Sequence, residues 1–329
     1  MDQFHDWHHV RLRSRALGTY LHAADDGESV LLRRSRATLN AAWAVHIRPD
    51  GRRGVHLLLH SAAYGRYLAN TAAPAPPGHR GFRAGQRDYN HPDPVVESIM
   101  WKAVVAGSQG DVLLRNGGNL YLRANGRYRR WNTGVSVDTD HVSTMARWVV
   151  ERIPRREGGA PAIPPPIPIR APGRLAGLIL GRQERERGRG AWRTIRFYTE
   201  NGFSQGLYPE NGWSTFAFFG RSVFHLSEEL DIHVGVRNGR PAPRLRHAVP
   251  SFREEDLPDG FVVCVRAGRQ GRLTPLVIDL PHGGDGETLE IIVVLSGTQS
   301  ESLSLTLSLS LHVTTSVLDS DVQSVGLCA

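Results

Sequence analysis

One phrase recurs three times in the first half of the chain. It reads "LRSRALGTYLHA" from Leu12, "LHSAAYGRYLAN" from Leu59 and, one residue shorter, "LRNGGNLYLRA" from Leu114. In the first two copies a glycine follows six residues after the leucine, and Tyr-Leu follows eight after it. Each copy leads to a tryptophan that opens a short apolar stretch: "WAVHI" at Trp43, "WKAVV" at Trp101 and "WVVERI" at Trp148. A repeat is therefore a strand, a turn, a Tyr-Leu strand, a variable segment and a Trp strand. The starting leucines lie 47 and 55 residues apart, and the excess is an insertion, "NTAAPAPPGHRGFRAGQRDYNHPDP". Its proline and glycine content reads as a loop.

Short strands separated by turn signals every ~8–12 residues point to an all-β sandwich or barrel. Three units of roughly fifty residues, none able to bury its apolar face alone, close most readily about a pseudo-threefold axis. Closure also removes free strand edges. The expected fold is a β-trefoil over residues 1–153, and the repeated residues then have structural work. Gly18 and Gly65 suit a tight turn that needs positive φ, with Gly118 as the displaced counterpart in the third copy. Leu21, Leu68 and Leu122 should point inward, and Trp43, Trp101 and Trp148 should pack near the axis.

Residues 154–192 change character. "PRREGGAPAIPPPIPIRAPG" and "GRQERERGRG" read as a Pro- and Arg-rich linker. A second domain is expected over 193–298. "RTIRFY" and "GWSTFAFFG" read as strands. "SVFHLSEELDIHVG" reads as a helix, with Ser222 as N-cap, Val223, Leu226, Leu230 and Val234 on one face, and Gly235 just past its end. A long loop, "VRNGRPAPRLRHAVPSFREEDLPDG", precedes three more strands: "FVVCVRAG", "TPLVIDLP" and "TLEIIVVLSG". The order β-β-α-β-β-β suits one helix crossing a small sheet, as in an α+β, ubiquitin-like β-grasp domain. Within residues 299–329 the stretch "SLSLTLSLSL" alternates Ser or Thr with Leu. That is the period of a half-buried strand and also the product of a CT dinucleotide repeat, and a low-complexity, disordered tail is expected.

No apolar run approaches eighteen residues, so no membrane span is expected. The mean hydropathy of −0.31 reads as soluble. "MDQFHDWHHVRLRS" lacks the apolar core of a secretory signal. Two cysteines, Cys264 and Cys328, make no disulfide framework and no metal spacing, which fits a reducing, cytoplasmic setting. The formal net charge is +8, carried almost entirely by arginine, since Lys102 is the lone lysine. Such a balance favours an acidic partner. However, the charge is scattered, and the abundance of Arg, Ala, Gly and Pro also fits a GC-rich gene.

The three phrases, with "APAPPGHRGFRAGQRDYNHPDP", "NGRYRRWNTGVSVD", "STMARWVVERIP" and "FVVCVRAGRQGRLTPLVIDLP", resemble a plant domain-of-unknown-function family, DUF569. The resemblance covers roughly residues 1–153 and 192–297. It implies a fascin-like, actin-cross-linking-like β-trefoil followed by a ubiquitin-like domain. Actin filaments are the partner it implies. A single trefoil does not supply the separated actin sites that fascins use, and no actin-contacting residue is carried over.

The surface stretch best suited to a partner is "NGRYRRWNTG". There Arg127, Tyr128, Arg129, Arg130 and Trp131 set cations beside aromatics in a turn, which can engage an acidic protein, a phosphate or a base. Arg80, Arg83 and Arg87 in the insertion add to this charge if the fold brings them close. Other candidates read as structure. His5, His8 and His9 lack further ligands at a defined spacing. Asp25 and Asp26 lack the alternating oxygens of a calcium loop and suit a hairpin turn. Ser61 beside His60 is no dyad, because strand neighbours point to opposite faces. No nucleophile-elbow, zinc-protease or P-loop pattern appears. The expectation is a non-enzymatic interaction protein with no cofactor and no metal. The alternative is a glycan- or small-ligand-binding trefoil, although Ala41, Ile99 and Ala146 stand where ricin-type lectins carry the Gln of Q-x-W. Nucleic-acid binding rests on charge alone and ranks third.

Overall fold

The computed structural model describes residues 3–50, 54–90, 96–107, 110–126, 131–139, 143–154, 191–200, 208, 211–237, 261–282 and 286–295. Residues 155–190 of the expected linker, residues 238–260 of the loop before the third strand of the second domain, and the Ser-Leu tail fall outside these residues.

Each repeat of the first domain contributes four strands. They are β1 His9–Ser14, β2 Tyr20–Ala23, β3 Val30–Arg33 and β4 Trp43–Asp50, then β5 Gly54–Ser61, β6 Tyr67–Pro74, β7 Phe82–Arg87 and β8 Lys102–Ala106. The third set is β9 Asp111–Asn116, β10 Leu120–Ala124, β11 Val135–Asp138 and β12 Trp148–Ile153. Repeats join by antiparallel pairing of β4 with β5 and β8 with β9, and β12 closes the barrel on β1 over six residues, His9↔Ile153 to Ser14↔Trp148. The hairpins β2–β3, β6–β7 and β10–β11 meet one another at one end. Ser29 bridges Gly85, Leu31 bridges Gly134, and Ser136 pairs with Arg83. This is a β-trefoil.

The repeated phrase does one job three times. Each tryptophan is fully buried, and its indole N–H donates to the carbonyl of the Tyr-Leu leucine of its own repeat: Trp43 to Leu21 at 3.1 Å, Trp101 to Leu68 at 2.9 Å, Trp148 to Leu122 at 3.0 Å. A buried indole thus has a partner for its one donor. Leu21, Leu68 and Leu122 are fully buried in the same core. Before each tryptophan the chain makes one tight helical turn, at Leu39–Ala41, at α1 Val96–Ile99 and at Thr144–Ala146.

Two local readings are corrected. Gly18 (φ 67°) and Gly65 (φ 75°) take the left-handed turn position, but in the third repeat Asn119 (φ 61°), not Gly118, stands two residues before the tyrosine and takes it. Asparagine tolerates this region because its short polar side chain bonds locally. Replacing Asn119 by Val should therefore cost about 1–2 kcal/mol, whereas glycine should be nearly neutral, as urea denaturation can measure. The second correction concerns the insertion, which is not simply a loop. Its two ends extend β6 and β7, with Leu68↔Gln86 to Asn70↔Ala84 in register and a bulge before Pro74↔Phe82. The glycines that suggested a loop, Gly78 and Gly81, sit at the hairpin's tip, and the prolines lie at or beyond Pro74.

The second domain has β13 Trp192–Glu200, β14 Ser214–Phe219, α2 Val223–Arg237, β15 Phe261–Arg266, β16 Leu273–Pro275 and β17 Glu287–Leu295. The sheet order is β14-β13-β17-β15-β16, with β13 and β17 parallel and the other pairs antiparallel. Leu226, Leu230 and Val234 of α2 pack on Ile195, Phe197, Ile291 and Val293 of the sheet. Ser222 caps α2, its hydroxyl accepting from the His225 amide at 3.4 Å. The helix continues through Gly235 to Arg237, three residues past the expected end at Val234, because Gly235 costs a helix only about 1 kcal/mol and Val234 is anchored in the core. "TPLVIDLP" contributes only Thr274 and Pro275 to the three-residue β16. Pro275 pairs with Cys264 but has no amide to donate, the Leu276 amide still donates to the Val263 carbonyl at 2.8 Å, and further on Arg221 Nε donates to the Leu280 carbonyl at 2.6 Å.

Candidate functional site

The hairpin end of the trefoil gathers groups from all three repeats. Trp131 sits in the β10–β11 turn at φ 69°, half-buried, with its ring across Gly134. A methyl group on Gly134 would fall among the ring atoms, so glycine at 134 gives the tryptophan its seat. From the β6–β7 hairpin, the His79 ring meets Trp131 edge-on at 5.3 Å and the exposed Arg83 guanidinium lies 5.8 Å from its centroid. That separation is within cation–π range. Arg83 Nε also donates to the Pro74 carbonyl at 3.2 Å, which fixes its direction along the hairpin. Phe82, 38% exposed, and Arg80 stand on the same hairpin.

The first repeat joins through the Leu32 amide, which donates to the Thr133 carbonyl at 2.7 Å. Arg33 and Arg34 follow directly along the chain and are exposed, as is Arg36. Among the described residues Asp25 stands 4.0 Å from Arg33, too long for a strong pair. Of the expected stretch, Arg127, Tyr128, Arg129 and Arg130 lie outside the described residues. Of the insertion's arginines, Arg83 reaches Trp131, whereas Arg87 lies at the other end of the hairpin, across from Tyr67, and donates to the Thr71 carbonyl at 3.0 Å. His79 was not legible as a contact of Trp131, because the two are distant in sequence and only the approach of one hairpin to the other brings the rings together.

The remaining candidates are scaffold. Asp26 accepts from the Glu28 and Ser29 amides at 2.9 and 2.8 Å, which makes the β2–β3 turn. Ser61 accepts from the Ala63 and Tyr64 amides at 3.2 and 3.3 Å, while His60 Nδ1 faces Thr274 Oγ1 at 3.3 Å, so the two are not coupled. Among the described residues no three His, Cys, Asp or Glu side chains are placed to hold a metal ion. Cys264 is buried, and burial pushes its thiol up to about 12, which leaves it a poor nucleophile. No described helix is long and apolar enough to cross a membrane.

Two family models match. The beta-trefoil domain of unknown function (DUF569) covers residues 1–151, and the DUF569 associated ubiquitin-like domain covers residues 191–294. No curated protein sequence matches. Among solved structures, the first domain is similar to a Macrolepiota procera ricin B-like lectin in complex with lactose (17% identity, 45% of this chain, 97% of that chain, TM-score 0.36). It is also similar to the designed threefold-symmetric protein ThreeFoil (17%, 44% and 97%, TM-score 0.35) and to an SDF2-like protein from Arabidopsis thaliana (15%, 43% and 91%, TM-score 0.35). With its trefoil and its β-grasp domain each matched in the same order, the chain belongs to the DUF569 family.

Proposed function

We propose that this chain is a non-catalytic binding protein whose trefoil engages an acidic partner through the cationic surface around Trp131. One observation carries the reading: Arg83 and His79 of the second hairpin meet the half-buried Trp131 of the third, and the first hairpin bonds beside it, Leu32 to Thr133. An aromatic anchor beside an arginine is the composition that concentrates binding energy in protein interfaces. The buried, free Cys264 suits a reducing compartment, so the proposed setting is the cytoplasm. Actin filaments are the acidic surface to test first, because the fascin-like resemblance implies them.

The test is co-sedimentation of the full chain with actin filaments at low and high salt. Binding should weaken as salt rises. Arg83→Glu with Arg34→Glu should weaken it on the order of a hundredfold, and Trp131→Ala about tenfold. Absence of pelleting at low salt removes actin as the partner. Binding to any acidic ligand that is indifferent to both salt and these variants removes the surface itself.

A further inference from the structure

The second domain rests on the trefoil through its β15–β16 hairpin. Arg272 is the centre of the contact. Its Nη1 and Nη2 donate to the two Asp6 oxygens at 2.8 and 2.9 Å, and its guanidinium lies 3.8 Å from the Trp7 ring centroid. Its amide donates to the Tyr67 hydroxyl at 3.0 Å. Four more amide bonds cross the seam. Tyr89 donates to the Ala267 carbonyl at 2.9 Å, Gln270 to the Tyr89 carbonyl at 3.0 Å, Arg269 to Asn90 Oδ1 at 2.8 Å, and His282 to the Asp25 carbonyl at 2.7 Å.

Two histidines lie behind this contact, His60 buried and His46 half-buried. His46 Nδ1 lies 3.2 Å from the Tyr67 hydroxyl, and its ring packs beside Tyr67 and Tyr89 at 6.0 and 6.1 Å. His60 is 4% exposed, and its Nε2 has no hydrogen-bond partner among the described residues. The charged and titratable groups around them are His9 from β1, Asp6 from the N-terminal stretch, Arg48 from β4, Tyr67 from β6, Tyr89 after β7, and Arg272 from the β15–β16 hairpin. A proton added to either histidine would sit in a desolvated space shared with Arg272.

We propose that this seam is an acid-released latch: the two domains dock as one unit at neutral pH and part as the pH falls below about 6, with both folds intact. Burial first, then Arg272, holds His46 down to about 3. Burial, then His46, His9 and Arg272, holds His60 well below its ordinary value. Both are therefore neutral when docked. A histidine with a depressed folded-state pKa stabilises the docked form fully above its free value, and that contribution is lost as the pH falls. Asp6 acts in the same sense at lower pH. Burial raises its pKa, but the Arg272 and Ile47 hydrogen bonds outweigh this and hold it low, so acid weakens the Arg272 anchor as well. A histidine that regains a value near 6.5 on release shifts docking about thirtyfold by pH 5, and two shift it about a thousandfold.

Hydrogen exchange on the full chain at pH 7.5 and 5.0, corrected for intrinsic rates, tests the latch. The seam amides of Tyr89, Gln270, Arg272 and His282 should exchange about a hundredfold to a thousandfold faster at pH 5.0, while the β1–β12 and β13–β17 ladders keep their protection. His46→Gln with His60→Gln should hold the seam shut at pH 5.0, and Arg272→Ala should open it at pH 7.5. Seam amides equally protected at both pH values overturn the proposal. So do ladders that lose protection together with the seam, or seam amides already unprotected at pH 7.5. Should the double variant not dock, the wild-type pH comparison alone decides.

Discussion

Replacing Trp148 by alanine is expected to cost the trefoil about 3–5 kcal/mol, read as a shift of the denaturation midpoint at pH 7.5. The ring is fully buried where β12 meets both β1, at Ser14↔Trp148, and β9, at Trp148↔Val112. Removing it leaves a cavity at the junction of the first and third repeats and orphans the Leu122 carbonyl. Trp148→Phe separates the two effects. It keeps most of the apolar area but loses the donor, and should cost about 1–2 kcal/mol. Trp43→Ala and Trp101→Ala should cost the same within the scatter of such sites, since each ring is equally buried and equally bonded. A cost below about 1 kcal/mol at any of the three would show that its repeat does not share the axial core.

Arg193→Met is expected to destabilise the second domain by about 2–4 kcal/mol. The Arg193 side chain is 1% exposed, on the helix side of β13. Its Nε faces Glu287 at 3.3 Å, Nη1 donates to the Gly220 carbonyl at 3.1 Å, and Nη2 donates to the Pro281 carbonyl. Methionine fills much of the volume but leaves both carbonyls without this donor. The effect should also reach the trefoil, because Pro281 lies against Gly27 and the next residue, His282, donates its amide to Asp25. Arg196→Met is the control. Its pair with Glu290 is about a third exposed on each side, and its loss should cost no more than about 1 kcal/mol.

Fold and site differed in how far they could be read from sequence. Periodic core residues are legible because the same packing problem is solved three times with the same side chains, so Leu21, Leu68 and Leu122 appear as a pattern. The helix stripe Leu226–Leu230–Val234 is legible for the same reason. What a local pattern cannot carry is a choice between two residues of similar tolerance. Asn119 rather than Gly118 takes the left-handed turn, and Gly235 stays inside its helix. Nor can it carry contacts between loops. The sequence offers Arg83 to Trp131 only on the condition that the fold brings them close, and nothing near Trp131 announces His79. Nothing in "LHSAAYGRYLAN" announces that the second copy, unlike the others, faces another domain: Val265 and Thr274 come against Gly65, and Arg272 against Tyr67. The phrase is scaffold in all three copies, and in one of them it is also a seat.

The pairing of β1 with β12 makes the trefoil a ring that the chain enters and leaves at one place, His9 beside Ile153. No pair in the barrel depends on which repeat comes first. A chain joined across that gap and reopened between two other repeats would keep every rung. Order along the gene and order around the axis are therefore separable here, and only the attached second domain marks one repeat boundary as the beginning.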